Sequence, residues 1–207
     1  MPPVVRYVAG ADLSPPDAEG VVQCGVVVLD YPSLAVAEVK TARGVPAFPY
    51  IPGLLSFREA PLVLEALQHL DHAPDLLLCD GQGLAHPRRF GLGCHLGVLT
   101  GLPAIGCAKS LLLGKHGEVA SEKGAWQPLL DKGQVVGAAL RTRANVQPMY
   151  ISIGHRVDLA IAVQWALACC GRYRIPEPTR LAHFAATGRL KELEESGNGN
   201  LQVSRNY

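Results

Sequence analysis

The sequence predicts an α/β fold built on one central mixed sheet, and two patterns carry this prediction. Near the N-terminus, three mostly apolar segments follow one another with short breaks, which is typical of an antiparallel meander. Farther along, short continuous apolar runs alternate with segments whose apolar residues have helical spacing, which is typical of parallel strands joined by helices. A chain of 207 residues, 48% of them hydrophobic, is long enough for a single domain with one core.

The first half of the chain predicts four strands and one helix. The first strand, residues 4–11, ends at Asp12 and a Ser-Pro-Pro breaker, and strands over residues 21–30 and 34–41 complete the meander. Residues 44–53 contain three prolines and are predicted to form a loop, after which a helix covers residues 61–70. The fourth strand, residues 76–79, is apolar throughout, as expected of a central strand that is buried on both faces.

The rest of the chain predicts three further strands and three helices. A helix over residues 91–99 precedes the fifth strand, residues 104–108, which ends beside Lys109. The remaining predicted elements are a strand pair over residues 134–141 and 149–153, a helix over 156–170, and a last helix over 177–193 with a break near Gly188. Residues 1–193 are therefore expected to form one domain, and the polar residues 194–207 a disordered tail.

A meander followed by alternating helices and strands is the ribonuclease H-like arrangement, a central mixed five-stranded sheet in the order 3-2-1-4-5 flanked by helices. Strands one and four are neighbours in this sheet, so the carboxylates that follow them, Asp12 and Asp80, are expected to meet. Asp80 followed by glycine also suits a turn-capping aspartate, which is the alternative for this residue.

The overall composition excludes several classes of protein. The net charge is +1, so any binding of nucleic acid must depend on a local basic face. The longest apolar runs are far shorter than the roughly 20 residues of a membrane span. The six cysteines form no Cys-x-x-Cys pair and no secretory signal precedes them, so we expect buried thiols, a cytoplasmic location and no membrane partner.

Neighbouring carboxylates predict a metal site, because their mutual repulsion is offset by a bound cation and hard oxygen ligands favour Mg²⁺ or Mn²⁺. Two such ions would support in-line attack on a phosphodiester, so the expected chemistry is metal-assisted phosphodiester hydrolysis. Lys109 is expected to approach this site from the end of the fifth strand.

Glu59 is the third acidic candidate, and it has two interpretations. Ser56-Phe-Arg-Glu59 fits a capping box, in which the glutamate only caps a helix. Pro61 counts against that box, because proline prefers the first helical position, and it favours a Glu59 side chain placed just before a helix.

Tyr50 lies between Pro49 and Pro52 in the predicted loop. A phenol ring on a stiffened, exposed loop suits stacking on a base or insertion into a duplex, as base-flipping proteins require. The alternative is an ordinary surface loop whose tyrosine ring packs against the domain.

Five segments in order closely resemble endonuclease V. They are Gly10-Ala-Asp12-Leu-Ser14, Pro49-Tyr-Ile-Pro-Gly-Leu-Leu-Ser-Phe-Arg-Glu59, Asp80-Gly-Gln-Gly-Leu-Ala-His86, Gly106-Cys-Ala-Lys109 and Arg174-Ile-Pro-Glu-Pro-Thr-Arg-Leu-Ala-His183. The resemblance implies a Mg²⁺-dependent nuclease, with Mn²⁺ as a possible substitute, that recognises hypoxanthine in DNA for repair. It also implies hydrolysis of the second phosphodiester on the 3′ side, which leaves 3′-hydroxyl and 5′-phosphate ends.

The resemblance assigns roles to individual residues. It places metal ligands at Asp12, Glu59 and Asp80, with His183 near a second metal position, and an active-site lysine at Lys109. It implies that Tyr50 is a wedge and that the residues around it and around the glycines hold the flipped base: Pro49, Ile51, Leu55, Gly81, Gly83, His86 and Gly106. Main-chain recognition of a base agrees with these glycines, because glycine permits close approach.

Two rival functions stay open at this stage. One is an endoribonuclease that acts mainly on inosine in RNA, since contacts to a 2′-hydroxyl would lie in loops that the sequence does not place. The other is a catalytically silent binder of deaminated nucleic acid. We expect the DNA or RNA partner to be bound by a monomer.

Overall fold

The chain forms one mixed sheet with helices on both faces in a computed structural model that describes residues 2–189. The strands are β1 (Tyr7–Leu13), β2 (Val22–Asp30), β3 (Ala35–Gly44), β4 (Leu76–Cys79), β5 (Ala104–Ala108), β6 (Trp126–Asp131), β7 (Gln134–Leu140) and β8 (Met149–His155). The helices are α1 (Leu55–Gln68), α2 (Leu92–Thr100), α3 (Leu159–Ala168) and α4 (Glu177–Ala186). The predicted tail and the predicted helical residues 190–193 lie outside the described residues.

The sheet order is β3-β2-β1-β4-β5-β8-β7-β6, so the predicted ribonuclease H-like order of the first five strands is confirmed. β1, β4 and β5 are parallel, and every other pairing is antiparallel. Over residues 2–189 the sheet has eight strands rather than the predicted five, because β8, β7 and β6 continue it beyond β5. The sequence did not predict β6, which contains Pro128; proline is tolerated there because β6 is an edge strand.

The central strands are buried on both faces, as the continuous apolar run of β4 predicted. Leu77 and Cys79 face the cluster beneath α1 and α2, whereas Leu76 and Leu78 face the cluster beneath α3. The residues of α4 pack over β2 and β3 on the second face. The strand ends that carry Asp12 and Asp80 are thus held by core on both sides.

Helix α1 corrects the prediction for residues 61–70. It begins at Leu55, Pro61 lies inside it, and Glu59 lies in its second turn rather than before it. The capping box is also absent, because the N-cap is Leu54 and no side chain caps the helix. An internal proline costs roughly 3 kcal/mol, but the helix buries a face that includes Ala60, Val63 and Ala66 against the sheet, and this tertiary packing outweighs the cost.

The six cysteines are free thiols and all are buried, as predicted. In the described part of the chain, the helices are too short or too polar to cross a membrane.

Glu38 joins β3 to the segment that follows α1. Its buried carboxylate accepts hydrogen bonds from the main-chain N–H groups of Asp71, at 3.0 and 3.1 Å, and His72, at 2.9 Å. The His72 ring lies 3.0 Å and the Lys40 ammonium 3.1 Å from the same carboxylate. Burial alone would raise the pKa of Glu38, but these contacts lower it from 4.5 to about 2.

Glu38→Gln is expected to reduce the free energy of unfolding near neutral pH by on the order of 2–3 kcal/mol. The lowered pKa means that the native state favours the ionised form, so this stability is complete above pH 4.5 and is lost as the pH falls toward 2. Urea unfolding across this range should show a steeper acid loss for wild type than for the variant. The control is the same substitution at an exposed position of α1, Glu65→Gln. Equal pH profiles for wild type and Glu38→Gln would contradict the prediction.

Candidate active site

Asp12 and Asp80 meet at the carboxyl ends of two parallel strands. The register pairs Ala11 with Cys79, which places the next residue of each strand side by side. The Asp80 N–H donates to the Ala11 carbonyl at 3.3 Å, so β1 and β4 stay hydrogen-bonded one residue beyond their last paired residues. The predicted meeting of the two carboxylates is therefore confirmed.

Three other elements bring the remaining predicted site residues to the same place. Glu59 comes from α1, Lys109 follows the last residue of β5, and His183 lies on α4. These side chains and the two aspartates line one pocket of about 340 Å³. The structure thus gathers all five residues that the sequence singled out for catalysis or metal binding.

Each aspartate has a partially exposed basic partner. Lys109 Nζ forms an ion pair with Asp80 Oδ2, and His183 Nδ1 lies 2.8 Å from Asp12 Oδ2. The aspartate side chains are each 13% exposed, whereas the Lys109 and His183 side chains are 40% and 39% exposed. The acids therefore form the floor of the pocket, and the bases reach it from the solvent side.

The pocket is a costly place for negative charge. Burial raises the pKa of Glu59 to about 8, and the charges of Asp12 and Asp80 add to this effect. Burial, and then Asp80, also raises the pKa of Asp12, against the lowering effect of the His183 contact and of Lys109. Such repulsion between buried carboxylates is what a bound cation offsets.

The donors fit a hard divalent cation, because they are carboxylate oxygens with one nearby imidazole. Among residues 2–189, no three acidic, histidine or cysteine side chains already stand as a ready ligand group. Asp12 and Asp80 each direct their Oδ2 atom at a basic partner, His183 and Lys109, and the same carboxylates would supply oxygen ligands to a cation. The chemistry of the donor set therefore fits a divalent cation, and two of its carboxylates are paired with basic side chains.

A second pocket of about 840 Å³ shares Glu59, Asp80 and Lys109 with the first. Its other walls come from the loop before α1, the segment after β4 and the segment after β5. Its lining includes four residues predicted to contact a base, namely Tyr50, Leu55, Gly81 and His86. A cavity of this size is suited to a small organic group such as a purine.

Tyr50 and His86 differ in their surroundings. Tyr50 is 68% exposed on the rim, so the alternative in which its ring packs against the domain is wrong. His86 is buried, and burial followed by the charge of Arg88 lowers its pKa. Tyr50 thus presents an accessible ring at the mouth, and the His86 imidazole, with its lowered pKa, lies in the wall.

The other four predicted base-contacting residues do not line this cavity. Pro49 and Ile51 are exposed on either side of Tyr50. Gly83 and Gly106 are required by packing inside the protein: a Cβ on Gly83 would lie 2.0 Å from the Ile153 carbonyl oxygen, and one on Gly106 would lie 2.3 Å from the Gly83 nitrogen. These glycines let the segment after β4 lie directly against β5 and β8 behind the pocket.

Several pocket residues were missed by the sequence interpretation. Arg88 Nη1 donates to the Gly53 carbonyl at 2.7 Å and so connects the two sides of the pocket mouth. Leu111 and Leu112 form an exposed apolar rim. No motif in the sequence sets Arg88 apart from the other basic residues, and the leucines had no sequence signal because their exposure depends on the chain path after β5.

Known proteins are similar to this chain in sequence and fold. The family model for Endonuclease V matches residues 1–184. Endonuclease V of Roseiflexus sp. is 57% identical over 187 residues, which cover 90% of this chain and 83% of that protein. The crystal structure of Endonuclease V from Streptomyces avermitilis has a TM-score of 0.87 at 48% identity and covers 93% of this chain and 84% of its own.

One solved relative carries nucleic acid. Ciona intestinalis Endonuclease V was crystallised with a 24mer DNA containing an inosine followed by a ribo-adenosine. It has a TM-score of 0.78 at 29% identity, covering 92% of this chain and 88% of the Ciona chain.

Proposed function

Because the chain belongs to the endonuclease V family, we propose that this phosphodiester nuclease recognises hypoxanthine and hydrolyses the second phosphodiester on its 3′ side, in DNA repair. The observation that carries the proposal is the wall shared by the two pockets. Glu59, Asp80 and Lys109 face both the acidic pocket and the larger cavity, so one bound strand can place a base in one and a phosphate in the other. The inosine-containing complex of the Ciona relative supports this choice of base.

The metal belongs to the proposal. Mg²⁺, or Mn²⁺ in its place, would be held by Asp12, Glu59 and Asp80, with His183 near a second position. When bound, it supplies Lewis-acid activation of water and neutralises charge on the scissile phosphate.

The protein's own side chains orient the catalytic carboxylates and contact the substrate. His183 holds one oxygen of Asp12, which limits the directions in which that carboxylate can turn. Lys109 is partly exposed beside Asp80, where its ammonium stabilises negative charge that develops on the phosphate. The Tyr50 ring at the rim fills the space that a flipped base leaves in the stack.

The test uses an end-labelled duplex with one deoxyinosine and a matched duplex with deoxyadenosine. We expect one nick, displaced to the 3′ side, in Mg²⁺ with the first duplex, no nick with the second and none in EDTA. The fragment should carry a 3′-hydroxyl and its partner a 5′-phosphate. Substrate binding without cleavage in Mg²⁺ or Mn²⁺ would replace this proposal with a silent binder of deaminated nucleic acid.

A second candidate is an endoribonuclease acting on inosine in RNA. It is favoured by the ribo-adenosine that follows inosine in the strand bound by the Ciona relative. A matched inosine RNA strand distinguishes the two, because faster cleavage of RNA than of DNA would assign the biological role to RNA and leave the chemistry unchanged.

Tyr50→Ala is expected to reduce kcat/KM on the deoxyinosine duplex roughly ten- to a hundredfold, because base stacking on an aromatic ring contributes about 1–3 kcal/mol. Tyr50→Phe keeps the ring and should remain within about threefold of wild type, since the hydroxyl adds little to stacking. Both variants should keep the wild-type Tm, because the ring is exposed. Equal losses for Ala and Phe would assign the role to the hydroxyl and contradict a wedge.

A further inference from the structure

Arg174 contacts the main chain beside the candidate catalytic lysine. It lies in the connection between α3 and α4, and its Nη2 donates to the Lys109 carbonyl at 2.6 Å and to the Pro148 carbonyl at 2.8 Å. The Arg174 carbonyl in turn accepts a hydrogen bond from Thr142 Oγ1 at 2.5 Å. One side chain thus connects the segments after β5 and before β8 to the segment that leads into α4.

The main chain of Lys109 lies just beyond the last paired residue of β5, and Arg174 donates a hydrogen bond to it there. β5 ends at Ala108, whose partner on β8 is Tyr150, so the ladder stops one residue before the lysine. The next carbonyl, that of Ser110, accepts from the side-chain amide of Gln82 at 3.2 Å. Side chains therefore take over from the sheet at this point and fix the peptide groups that carry Lys109.

The arrangement is poor as a device for stability alone. Arg174 Nε is buried and has no hydrogen-bond partner among residues 2–189. Burial also lowers the pKa of the guanidinium. A partly buried charge with an unsatisfied buried donor costs free energy that an apolar residue would avoid, so such groups call for another explanation.

We propose that Arg174 is a positioning residue for Lys109: its bond to the Lys109 carbonyl sets the backbone from which the ammonium reaches Asp80 and the scissile phosphate. The inference rests on the proposed nuclease function. Its effect is made through Lys109 and belongs to the chemical step, because Arg174 itself lines neither pocket.

Arg141 provides a matched control. It also donates to main-chain carbonyls, those of Ala120 at 2.9 Å, Val119 at 2.6 Å and Val146. None of these segments carries a candidate catalytic residue. Arg141→Gln therefore removes a similar set of bonds and measures the purely structural cost.

The experiment compares Arg174→Gln, Arg174→Lys and Arg141→Gln by single-turnover cleavage and by Tm. We expect Arg174→Gln to lower the cleavage rate at saturating enzyme at least tenfold with substrate affinity within twofold, Arg174→Lys to fall in between, and Arg141→Gln to stay within twofold of wild type. In a Lys109→Ala background, Arg174→Gln should cause less than a twofold further loss. An undiminished loss in that background, or an equal loss for Arg141→Gln, would overturn the proposal.

Hydrogen–deuterium exchange gives a reading that does not depend on activity. Arg174→Gln should increase exchange over residues 108–112, and Arg141→Gln should not. If wild type cuts neither DNA nor RNA, the proposed function fails. The exchange measurement still tests whether Arg174 holds the backbone at Lys109. Wild-type exchange over these residues in Arg174→Gln would overturn the positioning role even in an active enzyme.

Discussion

Asp80→Asn is expected to slow cleavage of a deoxyinosine strand by at least about a thousandfold, the scale on which an essential charged group contributes to phosphoryl chemistry. Asparagine keeps the shape of the side chain but removes the negative charge that would hold a metal and that pairs with Lys109. Asp80 also raises the pKa values of Asp12 and Glu59 through charge repulsion. Its neutralisation therefore removes an unfavourable electrostatic interaction from the folded state. The variant should therefore unfold at or above the wild-type Tm and still bind the substrate.

Asp75 is the matched control for that experiment. It precedes β4 as Asp80 follows it, and its carboxylate accepts from the main-chain N–H groups of Arg6 at 2.8 Å and Tyr7 at 2.9 Å. Asp75→Asn should lower the Tm and leave the cleavage rate of the folded protein unchanged. Cleavage by Asp80→Asn within tenfold of wild type, in Mg²⁺ or Mn²⁺, would show that this carboxylate is not essential.

The position of Asp80 could be predicted from sequence because it depends on local pattern and one topological rule. A short apolar run marks a buried parallel strand, and the ends of neighbouring parallel strands lie at one edge. Asp12 and Lys109 follow from the same rule, because each comes at the end of such a strand. His183 lies on a helix, where no periodicity distinguishes a site histidine from a surface one, and only the family resemblance singled it out.

The start of α1 could not be predicted from local rules. Pro61 favours a helix that begins there, yet the structure extends it back to Leu55, and the added turn packs against α2: Ser56 Oγ lies 3.1 Å from His95 Nδ1, and the Phe57 ring meets the same imidazole edge-on. As a result, Glu59 is presented by a rigid helix and not by a loop. Tertiary packing, which a single sequence does not display, decided where this carboxylate points.

Contacts between distant segments were also beyond the sequence. The side chain of Arg174 donates to the Lys109 carbonyl, 65 positions earlier in the chain, and no sequence pattern relates the two residues. The packing roles of Gly83 and Gly106 are of the same kind, because they depend on how closely the segment after β4 approaches β5 and β8. The sequence interpretation related these glycines to a ligand, and the structure shows in addition that they pack against main chain behind the pocket.

Close backbone packing also places α4, and through it His183. A Cβ on Gly10 would lie 2.0 Å from the Pro178 carbonyl oxygen and 2.7 Å from the Thr179 nitrogen. A Cβ on Gly25 would lie 2.5 Å from the Ala182 carbonyl oxygen. The first two turns of α4 therefore rest directly on the backbone of β1 and β2, which brings His183 to 2.8 Å from Asp12.

Gly10→Ala is expected to reduce the free energy of unfolding by at least about 3 kcal/mol, the upper range for overpacking, because the obstacle is main chain and no rotamer relieves it. Moving α4 outward also separates His183 from Asp12, so the folded fraction should cut more slowly than wild type. Gly44 is the control, since its added Cβ would meet only Leu62 Cδ2 at an ordinary 3.5 Å, and Gly44→Ala should change neither stability nor cleavage. Equal urea midpoints for the two variants would mean that α4 is free to shift without cost, and its backbone contact with β1 would not be what positions His183.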